Sequence, residues 1–380
     1  MKKILIISYM MKSGGVEVSL LNFIKKLKED KNIYVKLLLF KKDGTYLENF
    51  KESVDIDEIE FTDSVYNLAI PYKEEKNVIK KIKKIFLKAF NKYNFKNINK
   101  YLIKHTNRYD EFWDMAIDFH GYGYLGTTFL ALKVNAKTKV SFIHDEKIEW
   151  MKKNEFILDK IDYYFAVSES CSKEVEKKYP FISKKMKVFH NILDEEKIKI
   201  LSNEKIDDSF DGNFKLLTIG RLEKQKGYDI LLSTAMKLKM NNINYKWYII
   251  GTGTLKKNIE HKILKNKLQN DVILLGMKKN PYPYIKQCDM YIQPSKHEGY
   301  GIAIAEARIL NKLIIASNLP CISEQIKNEK NGILSNVNSD DFYNKIIYLN
   351  NNEQLKKTIL NNLKKEKNVD NMDLIYELLN

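Results

Sequence analysis

Short apolar runs alternate with stretches of helical period along most of the chain, in two series. That alternation restricts the fold more than any other feature. The first series of strand-like runs is Ile4–Ser8, Val35–Phe40, Ile56–Phe61, Met115–Phe119, Val140–Ile143 and Tyr163–Val167, with helical stretches such as Val16–Leu27 and Glu169–Lys178 between them. The second is Leu216–Ile219, Trp247–Ile250, Val272–Leu275, Met290–Gln293 and Leu313–Ala316, with helices near Asp229–Met240, Leu255–Lys267, Ile302–Leu310 and Asp340–Leu349. Strands that read as continuous apolar runs are buried on both faces, which parallel sheets covered by helices require. Two series predict two doubly wound α/β domains, at 1–191 and 214–380, with the last helix a candidate to cross back to the first. The polar stretch 192–213 between them ends in Asp211-Gly212-Asn213, which is turn chemistry, and is read as a linker.

Several classes are excluded early. A hydrophobic fraction of 44% is enough for real cores, which excludes wholesale disorder. No apolar run approaches the roughly 18–20 residues of a membrane span. The opening MKKILIISYMMKSGG reads as a first strand rather than a secretion signal, since its apolar run is short and lacks a small-residue cleavage site. Cys171, Cys288 and Cys321 lie far apart, which argues against a disulfide scaffold and a cysteine-based zinc site, and a reducing cytoplasm is the expected compartment.

The formal net charge of +16 suggests an anionic partner: nucleic acid, anionic lipid or a phosphorylated substrate. Yet all but three of the 65 basic residues are lysine, a bias that compositional drift also produces. The exceptions, Arg108, Arg221 and Arg308, are therefore the informative cations.

Two stretches carry chemistry. In LLTIGRLEKQKGYDILLSTA, a strand ends at Gly220, Arg221 follows, and Lys226-Gly227 opens a helix. Ligands of open α/β sheets bind at that strand end, and an arginine fork beside a lysine point charge suits a diphosphate. In PSKHEGYGIAIAEA, residues 294–307, a loop with Glu298, Gly299 and Gly301 leads into a helix carrying Glu306. Glycines let backbone approach a ligand, a helix start offers N–H groups to an anion, and a carboxylate accepts from paired sugar or ribose hydroxyls. Weaker signals are Gly14-Gly15 after the first strand, Gly251-Thr252-Gly253 after the strand-like run Trp247–Ile250, and the strand-end histidines His144 and His120. Asp55-Ile56-Asp57 alternates with apolar residues, so a solvated strand face explains it better than a divalent-cation site.

GRLEKQKG, IIGTG and PSKHEGYGIAIAEA together resemble the retaining glycosyltransferases of the family 4 type. Gly14-Gly15 and His144 match that family's N-terminal landmarks. The resemblance is specific over roughly 215–335 and looser over 1–190. It implies the GT-B architecture, two Rossmann-like domains facing a cleft. It also implies transfer of a sugar from a UDP- or GDP-linked donor to an acceptor hydroxyl, with retention. Arg221 and Lys226 would hold the donor diphosphate, helped by the backbone at Tyr300, Gly301 and Ile302. Glu306 would take the ribose hydroxyls, Glu298 the hydroxyls of the donor sugar, and His144 a place near the reacting centre. Gly15 would let its loop close on the phosphates. Tyr300 stands where the family usually has Phe, and Asn280–Pro283 lies in the usual nucleobase-lining region. If those cations stabilise the leaving diphosphate, no metal is needed.

Two other readings compete. A nucleotide-sugar epimerase shares the architecture but needs acid–base groups and no acceptor. A nucleic-acid binder would use the positive charge, but base reading leans on arginine, and no nucleic-acid module is visible.

The stretch Lys76–Lys104 breaks the α/β rhythm, with ten lysines and no acidic residue. Ile79, Ile82, Phe86, Phe90 and Tyr93 recur at helical spacing. A basic amphipathic insertion of this kind is expected to lie on an anionic membrane surface, bringing the enzyme to a lipid-linked acceptor at the inner face of the cell membrane. A domain helix packed on the N-terminal sheet, with solvated lysines, is the plain alternative.

Overall fold

The computed structural model describes residues 1–11, 14–44, 46–59, 103–104, 106–121, 125–206, 209–366 and 371–380, leaving aside the side chain of Lys153. All but the last two residues of the lysine-rich 76–104 stretch lie outside the described residues. The chain divides into two compact units, Met1–Ile192 with Asp370–Asn380, and Leu193–Val369.

The first unit holds β1 (Lys2–Ser8), α1 (Gly15–Leu27), β2 (Ile33–Leu39), α2 (Leu47–Lys51), β3 (Asp55–Glu58), β4 (Tyr109–Asp118), α3 (Leu125–Lys133), β5 (Val134–Ile143), α4 (Glu149–Leu158), β6 (Tyr163–Ala166), α5 (Glu169–Lys178) and β7 (Met186–Val188). Among the described residues its strands form one parallel sheet in the order β3-β2-β1-β4-β5-β6-β7. Alternate strand residues serve opposite faces. Leu5, Ile7, Leu38 and Ala116 join Trp113, Phe129 and Leu130 in one core, while the rings of Phe23, Phe119, Phe142, Phe165 and Phe189 pack in a chain of tilted, edge-on and stacked contacts elsewhere in the unit.

The second unit holds α6 (Glu195–Leu201), β8 (Lys215–Ile219), α7 (Tyr228–Met240), β9 (Lys246–Ile250), α8 (Lys256–Lys265), β10 (Val272–Gly276), α9 (Tyr282–Gln287), β11 (Met290–Gln293), α10 (Ile302–Ile309), β12 (Leu313–Ser317), α11 (Pro320–Gln325), β13 (Ile333–Ser335), α12 (Ser339–Asn350) and α13 (Glu353–Leu363). Its parallel sheet runs β10-β9-β8-β11-β12-β13. Period-two alternation is visible in the cores: Leu216, Trp247, Ile249, Met290 and Ile292 share one, and Leu217, Tyr248, Ile250, Tyr291 and Ile314 the other. The terminal helix α14 (Met372–Leu379) belongs to the first unit, where the Asn371 side chain accepts from the His190 backbone N–H at 3.0 Å.

Of the stretch 192–213, expected to be a linker, Ile192 ends the first unit's main segment, while residues from Leu193 on fall in the second unit and include α6. Asp194 caps that helix by accepting from the Lys197 N–H at 3.0 Å, and Ile198 is buried. Asn280 donates to the Leu201 carbonyl at 2.8 Å, which fastens the helix end to the loop before α9. The short strands β7 and β13 also escaped the reading of apolar runs, since three residues show no period.

In both sheets strand order reverses direction once, between β1 and β4 and between β8 and β11. Ligand crevices of open α/β sheets lie at the carboxyl ends of strands flanking such a reversal.

Candidate functional site

The reversal in the second unit brings the two chemistry-bearing stretches together. After β8 the chain turns through Gly220 and Arg221 and makes one tight turn at Lys224–Lys226 before α7. Gly227, with φ +69°, allows this turn, and a Cβ there would lie 1.8 Å from the Pro294 carbonyl oxygen. Only glycine lets the β8–α7 loop lie on the β11–α10 loop. The Lys296 N–H donating to the Gln225 carbonyl at 2.7 Å holds the two loops together.

That contact brings Lys226 to Glu298. Lys226 Nζ donates to Glu298 Oε1 at 2.7 Å and to Oε2 at 2.8 Å, and both side chains are largely buried. Ser295 Oγ donates to the same Oε1 at 2.7 Å. Sequence gave these two residues separate ligand groups, whereas the structure couples them into one unit. Arg221 differs: it is exposed and makes no ion pair or hydrogen bond through its guanidinium with another described residue. It is therefore available to an anion at the strand end.

The loop then enters α10 through Gly301, whose φ of +87° puts the helix start in the left-handed region. The first turn, Gly301 and Ile302 included, carries N–H groups that no intrahelical carbonyl can serve. The α11 helix secures the loop's backbone: Gln325 Nε2 donates to the Tyr300 carbonyl, and Cys321 Sγ to the Glu298 carbonyl at 3.3 Å. Arg308 in turn reaches Gln325 Oε1 at 3.5 Å while bonding Glu366 at 2.7 and 3.1 Å.

Glu306 lies one turn further along α10 and is buried. Burial pushes its carboxyl up to about 7, opposed by the Tyr282 hydroxyl, which donates to Oε1 at 3.1 Å. Tyr282 had no assigned role beyond the expected nucleobase-lining stretch. Its hydroxyl makes it a partner of the second glutamate.

In the first unit, Gly14 caps α1 with an extended backbone, and Gly15 is the first helical residue. His144 follows β5, is buried, and packs against Phe119 and Phe142 at ring-centroid distances of 5.5 and 5.7 Å. Burial pushes its pKa down to about 4, so the ring is neutral, and its Nε2–H donates to the Phe119 carbonyl at 2.6 Å. His120 is likewise held down to about 4 by burial. Sequence reasoning missed Asp118. It ends β4 in full burial and accepts from Thr127 Oγ1 at 2.6 Å, Gly121 N–H at 3.2 Å and Ser141 Oγ at 3.3 Å. Burial raises it to about 7 against those three donors. The signal available was an acid closing an otherwise apolar strand, in MAIDFHG.

The Asp55-Ile56-Asp57 pair is occupied by neighbours. Asp55 accepts from the Tyr34 hydroxyl at 2.9 Å, and Asp57 from the Tyr109 hydroxyl at 3.0 Å with Lys36 at 3.2 Å. Among the described residues no three His, Cys, Asp or Glu side chains cluster as metal ligands. Nor is any described helix long and apolar enough to cross a membrane.

Two Rossmann-like parallel-sheet domains, one carrying a cation–carboxylate pair at its strand reversal, define the GT-B class of fold. Residues 200–366, within the second unit, match the family model of the glycosyl transferases group 1. An uncharacterized glycosyltransferase of Methanocaldococcus jannaschii is 33% identical over 179 residues, covering 44% of this chain and 49% of that protein. The N-acetylgalactosamine-N,N'-diacetylbacillosaminyl-diphospho-undecaprenol 4-alpha-N-acetylgalactosaminyltransferase of Campylobacter jejuni is 26% identical over 171 residues, 43% of this chain and 45% of that protein. The matches to these two relatives span less than half of either one's length. Among solved structures, Anabaena HepE in complex with UDP superposes with a TM-score of 0.68 at 17% identity over 96% of this chain and 94% of that one. TarM gives 0.71 at 16% identity over 100% and 99%. At such identities the likeness is one of fold.

Proposed function

We propose that the chain moves a sugar from a nucleotide-diphosphate sugar to an acceptor hydroxyl, with retention at the anomeric carbon, and that the acceptor is a glycan or a lipid-linked saccharide. The observation that carries this is the coupled Lys226–Glu298 pair at the strand reversal, with Arg221 nearby in sequence and in no side-chain pairing with another described residue, and Glu306 buried and bonded to Tyr282. The group 1 match over 200–366 supports the same reading.

The barrier to such transfer is separation of an anionic leaving group from an oxocarbenium-like carbon. Arg221, Lys226 and the first turn of α10 would stabilise the departing diphosphate. Preorganised electrostatics of this kind is usually the largest single catalytic contribution. With those cations in place no metal is required. Glu306 would accept the ribose hydroxyls, and Glu298 a hydroxyl of the donor sugar. In the first unit, His144 is assigned the donor sugar near the reacting carbon and Gly15 the donor phosphates. His144 would act as a neutral imidazole, since burial keeps its pKa near 4.

A diphospho-undecaprenol acceptor is named for the Campylobacter jejuni relative, and a lipid-linked acceptor here would suit a protein that docks on anionic membrane. The ten lysines between 76 and 104 would supply that attraction, with the protein peripheral on the cytoplasmic face.

A thermal-shift screen over common nucleotide sugars tests the reading. A ligand at about 100 times its Kd stabilises by roughly 2.7 kcal/mol. No stabilisation by any UDP- or GDP-linked sugar would overturn it. Appearance of an epimerised donor without an acceptor would replace it with the epimerase reading.

A further inference from the structure

Strand β11 is fully buried, yet alternate positions on one of its faces carry Tyr291 and Gln293, and Ser295 continues the line two residues on. The face they share packs among Leu217, Tyr248 and Ile250, where an unpaired amide or hydroxyl costs more than the side chain gains by burial. Each polar group is satisfied by the next. Tyr291 OH donates to Gln293 Oε1 at 2.6 Å, Gln293 Nε2 to Ser295 Oγ at 2.9 Å, and Ser295 Oγ to Glu298 Oε1 at 2.7 Å. These three donors run toward Glu298; the Ile219 carbonyl, 3.4 Å from the Tyr291 hydroxyl, is a longer second acceptor off that line. With the Gln293 amide turned the other way, Ser295 would donate to the amide oxygen and abandon the carboxylate.

The two oxygens of Glu298 consequently differ. Oε1 receives both Ser295 and Lys226, whereas Oε2 receives Lys226 alone among the described residues. We propose that Tyr291, Gln293 and Ser295 form a one-way relay of positioning residues that saturates Glu298 Oε1 and leaves Oε2 to accept a hydroxyl of the donor's sugar. This rests on the transferase reading above. The relay fixes the carboxylate's rotation about its own bond, and with it the direction in which the free lone pairs of Oε2 point. Sugars that differ in the orientation of one hydroxyl are thereby told apart, while nothing in the relay faces the nucleotide.

The test uses the full chain with UDP and UDP-glucose as probes, titrated by calorimetry. Ser295→Ala and Gln293→Leu should weaken UDP-glucose about tenfold, the worth of one net hydrogen bond to a charged group, and leave UDP within about twofold. Ser295→Thr, which keeps the hydroxyl, should restore UDP-glucose binding. Equal losses for both ligands, no loss for either, or a wild type that binds the two alike would overturn the proposal. A ligand-free measurement separates the relay from the function. Tyr291→Phe and Ser295→Ala, alone and combined, should shift the urea midpoint non-additively, because the first break already disconnects the second. Additive midpoints would sink the relay with the transferase reading intact; a wild type that binds neither of these ligands nor any other UDP- or GDP-linked sugar would sink the reading of the site itself.

Discussion

The Lys226 ammonium lies between the two carboxylate oxygens of Glu298, 2.7 and 2.8 Å away, so the cation proposed to hold a diphosphate and the carboxylate proposed to hold a sugar neutralise each other across the two loops. The pair keeps two largely buried charges compatible with a folded, ligand-free site. It also places them where one bound donor would touch both.

This coupling separates the two cations in mutational terms. Removing one partner of a buried pair strands the other charge, at a cost of roughly 3 kcal/mol. Lys226→Ala should therefore lower the unfolding free energy by about that much, measured by urea titration. Arg221→Ala, exposed and without an ion pair to another described residue, should change it by less than about 0.5 kcal/mol. Both should cut turnover by roughly 10²–10³. An Arg221→Ala enzyme with near-normal turnover would remove Arg221 from the donor site.

The first unit invites a different measurement. Asp118 accepts from the Gly121 N–H and so fixes the turn whose Phe119 carbonyl holds His144. His144→Ala should impair transfer while nucleotide affinity stays within about twofold, read by turnover and calorimetry on the same preparation. The depressed His144 pKa has a stability signature as well. A base whose folded pKa is about 4 against an unfolded value near 6.5 binds fewer protons when folded. Its contribution is present above about 6.5 and is lost as pH falls toward 4. Relative to wild type, His144→Ala should flatten that acid loss, in a comparison of urea midpoints at pH 5 and pH 7.

Much of this was legible in the sequence, and the residues show why. Arg221, Lys226, Glu298 and Glu306 stood out because their neighbours are glycines and strand ends, features that act over a few residues. The pairing of Lys226 with Glu298 was not legible, since 72 positions separate them and only the close approach allowed by Gly227 joins their loops. Tyr291 and Gln293 read as ordinary strand residues, because nothing local shows that their polar atoms point along one buried line. Asp118 looked like a strand's polar end rather than a buried acid. The helix within 192–213 was hidden by charge: in EEKIKIL the side that Ile198 buries is too narrow to register as a helical period.

Attraction to membrane has its own test in the lysine-rich stretch, which lies almost wholly outside the described residues. Each lysine near an anionic leaflet contributes about 1 kcal/mol. Wild type should sediment with liposomes in proportion to their anionic content and be released by salt. Replacing Lys80, Lys81, Lys83, Lys84 and Lys88 by Gln should abolish sedimentation and leave hydrolysis of a soluble donor unchanged. Indifference of wild type to anionic liposomes at low salt would return the lysines to compositional drift.

With the ribose role proposed for Glu306, nucleotide affinity should depend on pH near neutrality. Burial raises its carboxyl to about 7, and the Tyr282 hydroxyl pulls the other way. Because the folded pKa lies above the unfolded value of roughly 4.3, the folded chain binds more protons between the two, and this group's contribution to stability is present at low pH and lost as pH rises toward 7. Ligand binding runs in the opposite sense. A carboxylate that takes ribose hydroxyls must be ionised to accept both, so UDP affinity should rise with pH up to about 7 and level off above it. Glu306→Gln should bind UDP weakly at every pH, with that rise gone. Tyr282→Phe removes the donor that favours the ionised form and should move the midpoint of the rise to higher pH while preserving its shape. Calorimetric titration of UDP from pH 5.5 to 8.5 with all three proteins decides the matter, and a wild-type affinity that is flat across this range would separate Glu306 from the nucleotide altogether.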